Sequence, residues 1–288
     1  MDTAPPTIGQ RIDSQYGALS PQEQRAADFI LDHLGDLAVY NATELARLSG
    51  VSKATVSRLF RRLGFSDSAE VREHARSLRS QGAPLGGIGA AAGTPSALAA
   101  HARQESENLQ KMLAGLDDGR LDVAARLIAG AGEVVLVGLR NSYPLALHLR
   151  QQLAQARGRV RLAPAPGQSL GEELAGLGAH DVVVLVGFRR RPSGFALITQ
   201  ALRERGVPVV LISDSSARRH AEAATLWLEC PVDSVSAFDS YSAAMSLMNL
   251  LASGVLGVDV REGRTRIATI TSVYEALGEL ESPSSAAT

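Results

Sequence analysis

Between residues 133 and 229 five short apolar runs recur: "EVVLVG" from 133, "RVRLAP" from 159, "DVVVLVG" from 181, "VPVVLIS" from 207 and "ATLWLE" from 224. They are continuous, not alternating. A strand buried on both faces reads this way, and strands of that kind belong to parallel sheets covered by helices. Helical segments separate most of the runs, over 143–157, 193–205 and 215–223, and a final helix is expected over 237–254. The pattern predicts a doubly wound α/β domain with a five-stranded parallel sheet. The runs are too short to cross a bilayer.

The chain ahead of this domain has a different rhythm. "SPQE" places Ser20 as an N-cap, Pro21 at the first helical position and Glu23 to close a capping box. Ala27, Ile30, Leu31 and Leu34 follow at helical spacing. A second short helix is expected from Thr43 to Leu48, then a turn at Gly50 and Val51, and a third helix capped by Ser52 that stops at Gly64. A fourth begins near Ser66. The glycine- and alanine-rich stretch 81–95 reads as a linker. Thr94 and Pro95 start a long helix to about Leu116, and another runs from Leu121 to Ala129. The expected organisation is an all-α domain over 8–80, the linker over 81–95 and the α/β domain over 96–280.

A helix, a tight turn and a capped helix make a helix-turn-helix. In "TELARLSGVSKATVSRLFRRLGF", Leu45, Val51, Val56 and Leu59 form the expected buried seam, and the small Ala46 lets the two helices approach. Ser52, Lys53, Thr55, Ser57 and Arg58 are expected to point outward, toward base edges and phosphates in a major groove. Arg61 and Arg62, a turn further on, suit phosphate contacts. Net charge is −1, so a surface for nucleic acid must be local. It is: from Leu45 to Ser66 the cations Arg47, Lys53, Arg58, Arg61 and Arg62 stand without an acid, while 20–44 is acidic.

The stretch from "LSPQEQRAADF" through "ELARLSGVSKATVSRLFRRLGF" to "VREHAR" resembles the N-terminal domain of the RpiR family of bacterial regulators, and the α/β domain resembles that family's SIS (sugar isomerase) domain. The resemblance runs from about residue 8 to 280. It implies a cytoplasmic, ligand-responsive regulator that binds operator DNA as a homodimer or a dimer of dimers. A single cysteine, Cys230, and an N-terminus without a signal pattern agree with a reducing cytoplasm.

With the SIS-like strand order 2-1-3-4-5, ligands are expected outside the carboxyl ends of the first and third strands. The loops there supply Arg140, Asn141 and Ser142, then Arg189, Arg190, Arg191 and Ser193, with Ser213 and Ser215 at the rim. Ser142 reads equally as a hydroxyl donor to an anion or as an ordinary N-cap. Phosphosugar-binding SIS domains tend to carry an S-x-S-G-x-T loop after the third strand. This chain has "GFRRRPSG", which points instead to an anion, carboxylate or phosphate, held by forked arginine contacts, or to solvated surface charge. Ser236, Asp239 and Ser240 read as caps of the last helix in preference to pocket lining. No cofactor or metal is expected: Gly138 lacks the dinucleotide glycine spacing, and His148, His180 and His220 lack the pairing that metal or triad chemistry needs. The alternative to a regulator is a sugar-phosphate isomerase with an appended helical domain. It needs a positioned acid or base, for which Glu172 and Glu173 are the acids at hand.

Overall fold

The computed structural model describes residues 6–34, 37, 40–80, 94–236 and 238–279. These fall into two compact units, one of residues up to 108 together with 232–240, the other of 109–231 with 241–279. Of the expected linker, residues 81–93 lie outside the described residues.

The first unit is helical: α1 (Ile8–Gln15), α2 (Pro21–Asp32), α3 (Ala42–Ser49), α4 (Lys53–Arg62) and α5 (Ser68–Ser80). Their starts follow from side chains that satisfy the free N–H groups of a first turn. Thr7 with Gln10, Ser20 with Glu23, and Asn41 with Glu44 each form a reciprocal capping box. Ser52 Oγ accepts the Thr55 N–H at 3.1 Å, and Asp67 Oδ1 accepts those of Ala69 and Glu70. α3 ends at Gly50, which takes φ +68, a left-handed conformation costly for residues with a Cβ. Ile8, Ile12, Ala27, Ile30, Leu45, Val56, Leu59, Phe60 and Phe65 share one core. α1 is not foreseen from the sequence: in "IGQRIDSQ" only Ile8 and Ile12 are apolar, too few to mark a period.

α6 (Pro95–Ala114) lies across the division between the units, and the second unit continues with α7 (Arg120–Gly130). Then come β1 (Val134–Gly138), α8 (Tyr143–Ala156), β2 (Val160–Ala163), α9 (Leu170–Leu174), β3 (Val182–Val186), α10 (Phe195–Glu204), β4 (Val209–Ser213), α11 (Arg218–Ala221), β5 (Leu226–Glu229), α12 (Ser242–Val258) and α13 (Val260–Leu277). All strand pairs are parallel, in the order β2-β1-β3-β4-β5. The expected α/β class, strand number and order are what the structure has. The central strands β1, β3 and β4 are buried at every position, which is why their sequences do not alternate. On one face Val135, Val137, Val183, Leu185 and Leu211 pack with Phe195 and Leu202 of α10. α8 packs on β1, and α12 packs on α7 and α8.

Two helix limits differ from expectation. The last expected helix, 237–254, begins only at Ser242, with Tyr241 at its N-cap and no side-chain cap bond. A further helix, α13, follows after a bend of 108°. Asp259 caps it by accepting the Glu262 N–H at 2.9 Å. Its sequence mixes threonines and arginines among few large apolar residues, so its periodicity is weak. Among the described residues no single helix is long and apolar enough to cross a membrane.

Candidate functional site

In the first unit the site is the surface of α4. The αL turn at Gly50 lets Val51 N–H reach Ala46 C=O at 3.0 Å, and Ser52 at once caps the next helix. α4 buries Val56, Leu59 and Phe60 against α2 and α3. Its other side leaves Ser52, Lys53, Arg58 and Arg61 exposed and Ser57 half-buried. Ala54, which the sequence reading passes over, is exposed among them and adds a methyl to that face.

Two expectations need correction. Thr55 does not point outward: it is 4% exposed. It directly precedes Val56 on the inward side, and its hydroxyl bonds Ser52 Oγ at 2.9 Å and accepts from Arg58 Nη2 at 3.4 Å. Thr55 thus braces Arg58. Arg62 is turned back onto its own bundle, donating to Ala18 C=O and lying 3.6 Å from Glu23 Oε2. The Ser20 backbone N–H holds the Glu23 carboxyl below the usual range, helped by the Ser20 hydroxyl and the charges of Arg62 and Arg58 against the opposing effect of burial. From α1, Arg11 donates to the Leu63 carbonyl at 2.9 Å and lies over the Phe65 ring. It places a cation at the C-terminal end of α4, where the helix dipole favours one.

In the second unit the candidate site is the carboxyl edge of β1, β3 and β4. Ser142 is buried, and its hydroxyl accepts the Phe188 N–H at 3.2 Å, tying the loop after β1 to the loop after β3. It stands at the N-cap position of α8 but makes no side-chain cap bond there. Accepting that N–H leaves its own proton to donate. Gly187 is required by space, since a Cβ there would stand 2.1 Å from the Phe195 ring.

The arginines of "GFRRRP" are neither solvated nor bare. Arg191 is only 10% exposed in its side chain. It donates to Gly187 C=O at 3.0 Å, to Asp214 Oδ1 at 3.1 Å and to Ser216 Oγ at 2.9 Å. Arg189 Nε lies 3.6 Å from Asp214 Oδ2. Asp214, 2% exposed, also accepts the Ser216 N–H and hydroxyl. Burial pulls the Arg191 pKa down, against the opposing pull of Asp214. Asp214 is thus the acid the sequence reading missed. It stands one residue past the end of β4, and that placement was its one visible signal. The two acids that were named lie elsewhere: Glu173 accepts the Ala165 N–H at 2.8 Å and pairs with Arg161, and Glu172 is exposed.

Of the other expected residues, Arg140, Asn141, Ser193 and Ser215 are exposed and Arg190 is half-buried. Arg140 and Arg190 both hold left-handed φ values, +55 and +62. Such non-glycine conformations cluster at functional sites. Ser213 is no rim donor: it is buried and accepts the Trp227 Nε1–H at 2.8 Å, bracing β4 against β5. His220 is buried at the end of α11, edge-on to Phe195. Burial lowers its pKa, as do the charges of Arg191 and Arg219. Among the described residues no three His, Cys, Asp or Glu are placed to hold a metal ion.

The family model described as the helix-turn-helix domain of the rpiR family matches residues 7–74, and the SIS domain model matches 127–254. The chain belongs to the RpiR family. An uncharacterized HTH-type transcriptional regulator in the aarA 3′ region of Providencia stuartii is 25% identical over 183 residues, which make up 62% of the present chain. The chain spans 64% of the length of that relative. Two solved structures share the fold. The sugar isomerase domain of an RpiR transcription factor from Sphaerobacter thermophilus matches with a TM-score of 0.56 at 23% identity, over 60% of this chain and 96% of that one. The Vibrio vulnificus NanR protein complexed with ManNAc-6P matches with a TM-score of 0.56 at 19% identity, over 94% and 99%. Within this RpiR-family chain, the loop after β3 departs from the hydroxyl-rich pattern by burying an arginine–aspartate pair.

Proposed function

We propose that the chain is a cytoplasmic transcriptional regulator that binds operator DNA through α4 and senses a small anionic metabolite at the carboxyl edge of its sheet. The functional domains are 8–80 for DNA and 96–280 for the ligand, joined by 81–95. What carries the reading is α4. A helix behind a tight turn presents Ser52, Lys53, Ala54, Ser57, Arg58 and Arg61 on one side and a fully buried apolar seam on the other. Hydroxyls and Arg58 at its N-terminal half suit base edges, and Arg61 suits a phosphate.

At the second site Ser142, Arg189, Arg190 and Arg140 surround the place where an anion is received, with Arg191 holding the loop from behind. The ManNAc-6P in the NanR complex makes a phosphorylated sugar one candidate anion. Isomerase chemistry is the weaker reading, because Asp214, the acid at these loops, is already engaged by Arg191, and Glu173 lies elsewhere, paired with Arg161. The protein acts as a homodimer or a dimer of dimers, since a lone helix-turn-helix contacts few bases and paired heads read half-sites about 34 Å or a multiple apart. Footprinting of the purified chain on DNA flanking its own gene tests the proposal. A protected pseudo-palindrome released by an anionic metabolite is expected. Absence of sequence-specific protection at any protein concentration overturns the DNA-binding reading.

A further inference from the structure

α13 is the helix that the fold leaves most open. Along its 18 residues only Gly263 is buried. Its first turns are held to the domain: Gly263 abuts Leu256, and Arg266 Nε donates to the Ala154 carbonyl at 2.6 Å. Beyond them Ile267, Val273 and Leu277 are 39%, 48% and 65% exposed, and Ile270 and Tyr274 are half-buried. At about 100° per residue these five side chains fall on one stripe. Contiguous apolar surface of this kind marks an interaction site more often than scattered leucines do. Charge is divided along the same helix. The first half carries Arg261, Arg264 and Arg266 with Glu262, whereas from Ile267 to Glu279 there are Glu275 and Glu279 and no cation.

We propose that this stripe receives a second copy of the chain, the two α13 helices running antiparallel about a two-fold axis near Ile270. The proposal rests on the homo-oligomeric reading above and assigns it a surface. In this register Ile267 of each copy faces Val273 of the other, and the basic half of each helix lies along the acidic half of its neighbour. Parallel pairing sets like charge beside like. A two-fold contact requires one patch to complement itself, and the division of charge along α13 meets that requirement.

Sedimentation of the full chain is the test, comparing wild type with the triple variant Ile267→Glu, Val273→Glu, Leu277→Glu. All three side chains are exposed, so the variant is expected to keep its circular dichroism. Its dimer dissociation constant is expected to rise at least about thirtyfold, the size of one interface hot spot. A second measurement reads orientation. Ile267→Cys chains mixed with Val273→Cys chains under mild oxidation should form the mixed disulfide; the native Cys230 is buried and does not compete. A triple variant that dimerises like wild type overturns the surface assignment and leaves the homo-oligomer standing. Disulfides formed by each single variant alone, without the mixed species, overturn the antiparallel arrangement. A wild-type chain that stays monomeric overturns both this proposal and the oligomeric reading.

Discussion

Arg62 lies 3.6 Å from Glu23, joining the last turn of the recognition helix to the capping box that starts α2. The contact separates arginines that look alike in sequence. Arg58 and Arg61 face solvent, while Arg62 spends its guanidinium on the bundle. Arg58→Ala should therefore lose about 1–3 kcal/mol of discrimination between operator and random DNA, and Arg61→Ala should flatten the salt dependence by about one unit of slope. Arg62→Ala should act on the fold, lowering stability by about 0.5–1 kcal/mol, since the pair is partly exposed. Binding isotherms at several salt concentrations, with thermal melts alongside, distinguish the three.

Glu23 also predicts a pH dependence. Its folded pKa lies below the ordinary value of 4.5, so the carboxylate contributes stability at neutral pH. That contribution falls away as pH drops below the ordinary value and through the depressed folded one. Glu23→Gln should be less stable than wild type near pH 7, and the gap should close toward pH 3. Denaturant midpoints across that range report it; a gap that widens in acid contradicts the assignment.

Breaking the buried pair from one side should be costly. Arg191→Ala leaves the buried Asp214 carboxylate with the Ser216 donors and, among the cations, the more distant Arg189, and a loss toward the low end of the roughly 3–5 kcal/mol typical of a broken buried pair follows. Asp214→Asn in the same chain should restore part of it. Replacing Arg189, Arg190 and Arg191 together by alanine is thus a test of folding before it is a test of ligand response. Chemical denaturation of the single and double variants measures the coupling.

Cys230 should be inert while the domain is folded. Burial, with the Asp214 charge, pushes its thiol up to about 12. A thiol reagent at pH 8 should label the native chain at a small fraction of the rate seen in denaturant, because thiolate is the reacting form.

Much of this architecture was legible. Strands buried on both faces show as unbroken apolar runs, so the strands of the sheet and the helix-turn-helix could be read from apolar runs and caps, while the strand order came from the resemblance to SIS domains. Helices that bury little were not legible: α1 shows two apolar residues and α13 one buried glycine. Site residues were read by type and place, and this failed wherever a side chain was already engaged. Ser213, Arg62 and Arg191 are polar tips spent on partners distant in sequence, and Thr55 is spent on neighbours one turn away. No local pattern shows that Asp214 waits 23 residues after Arg191 to take its charge.

That pair also limits how the chain can change. A route from this loop to a hydroxyl-lined one passes through a variant holding either the guanidinium or the carboxylate alone, each less stable than either end. Single substitutions at the exposed Ser193 or Ser215 should cost little, whereas those at Arg191 or Asp214 should cost much. The composition of this loop is therefore held by a barrier in sequence space.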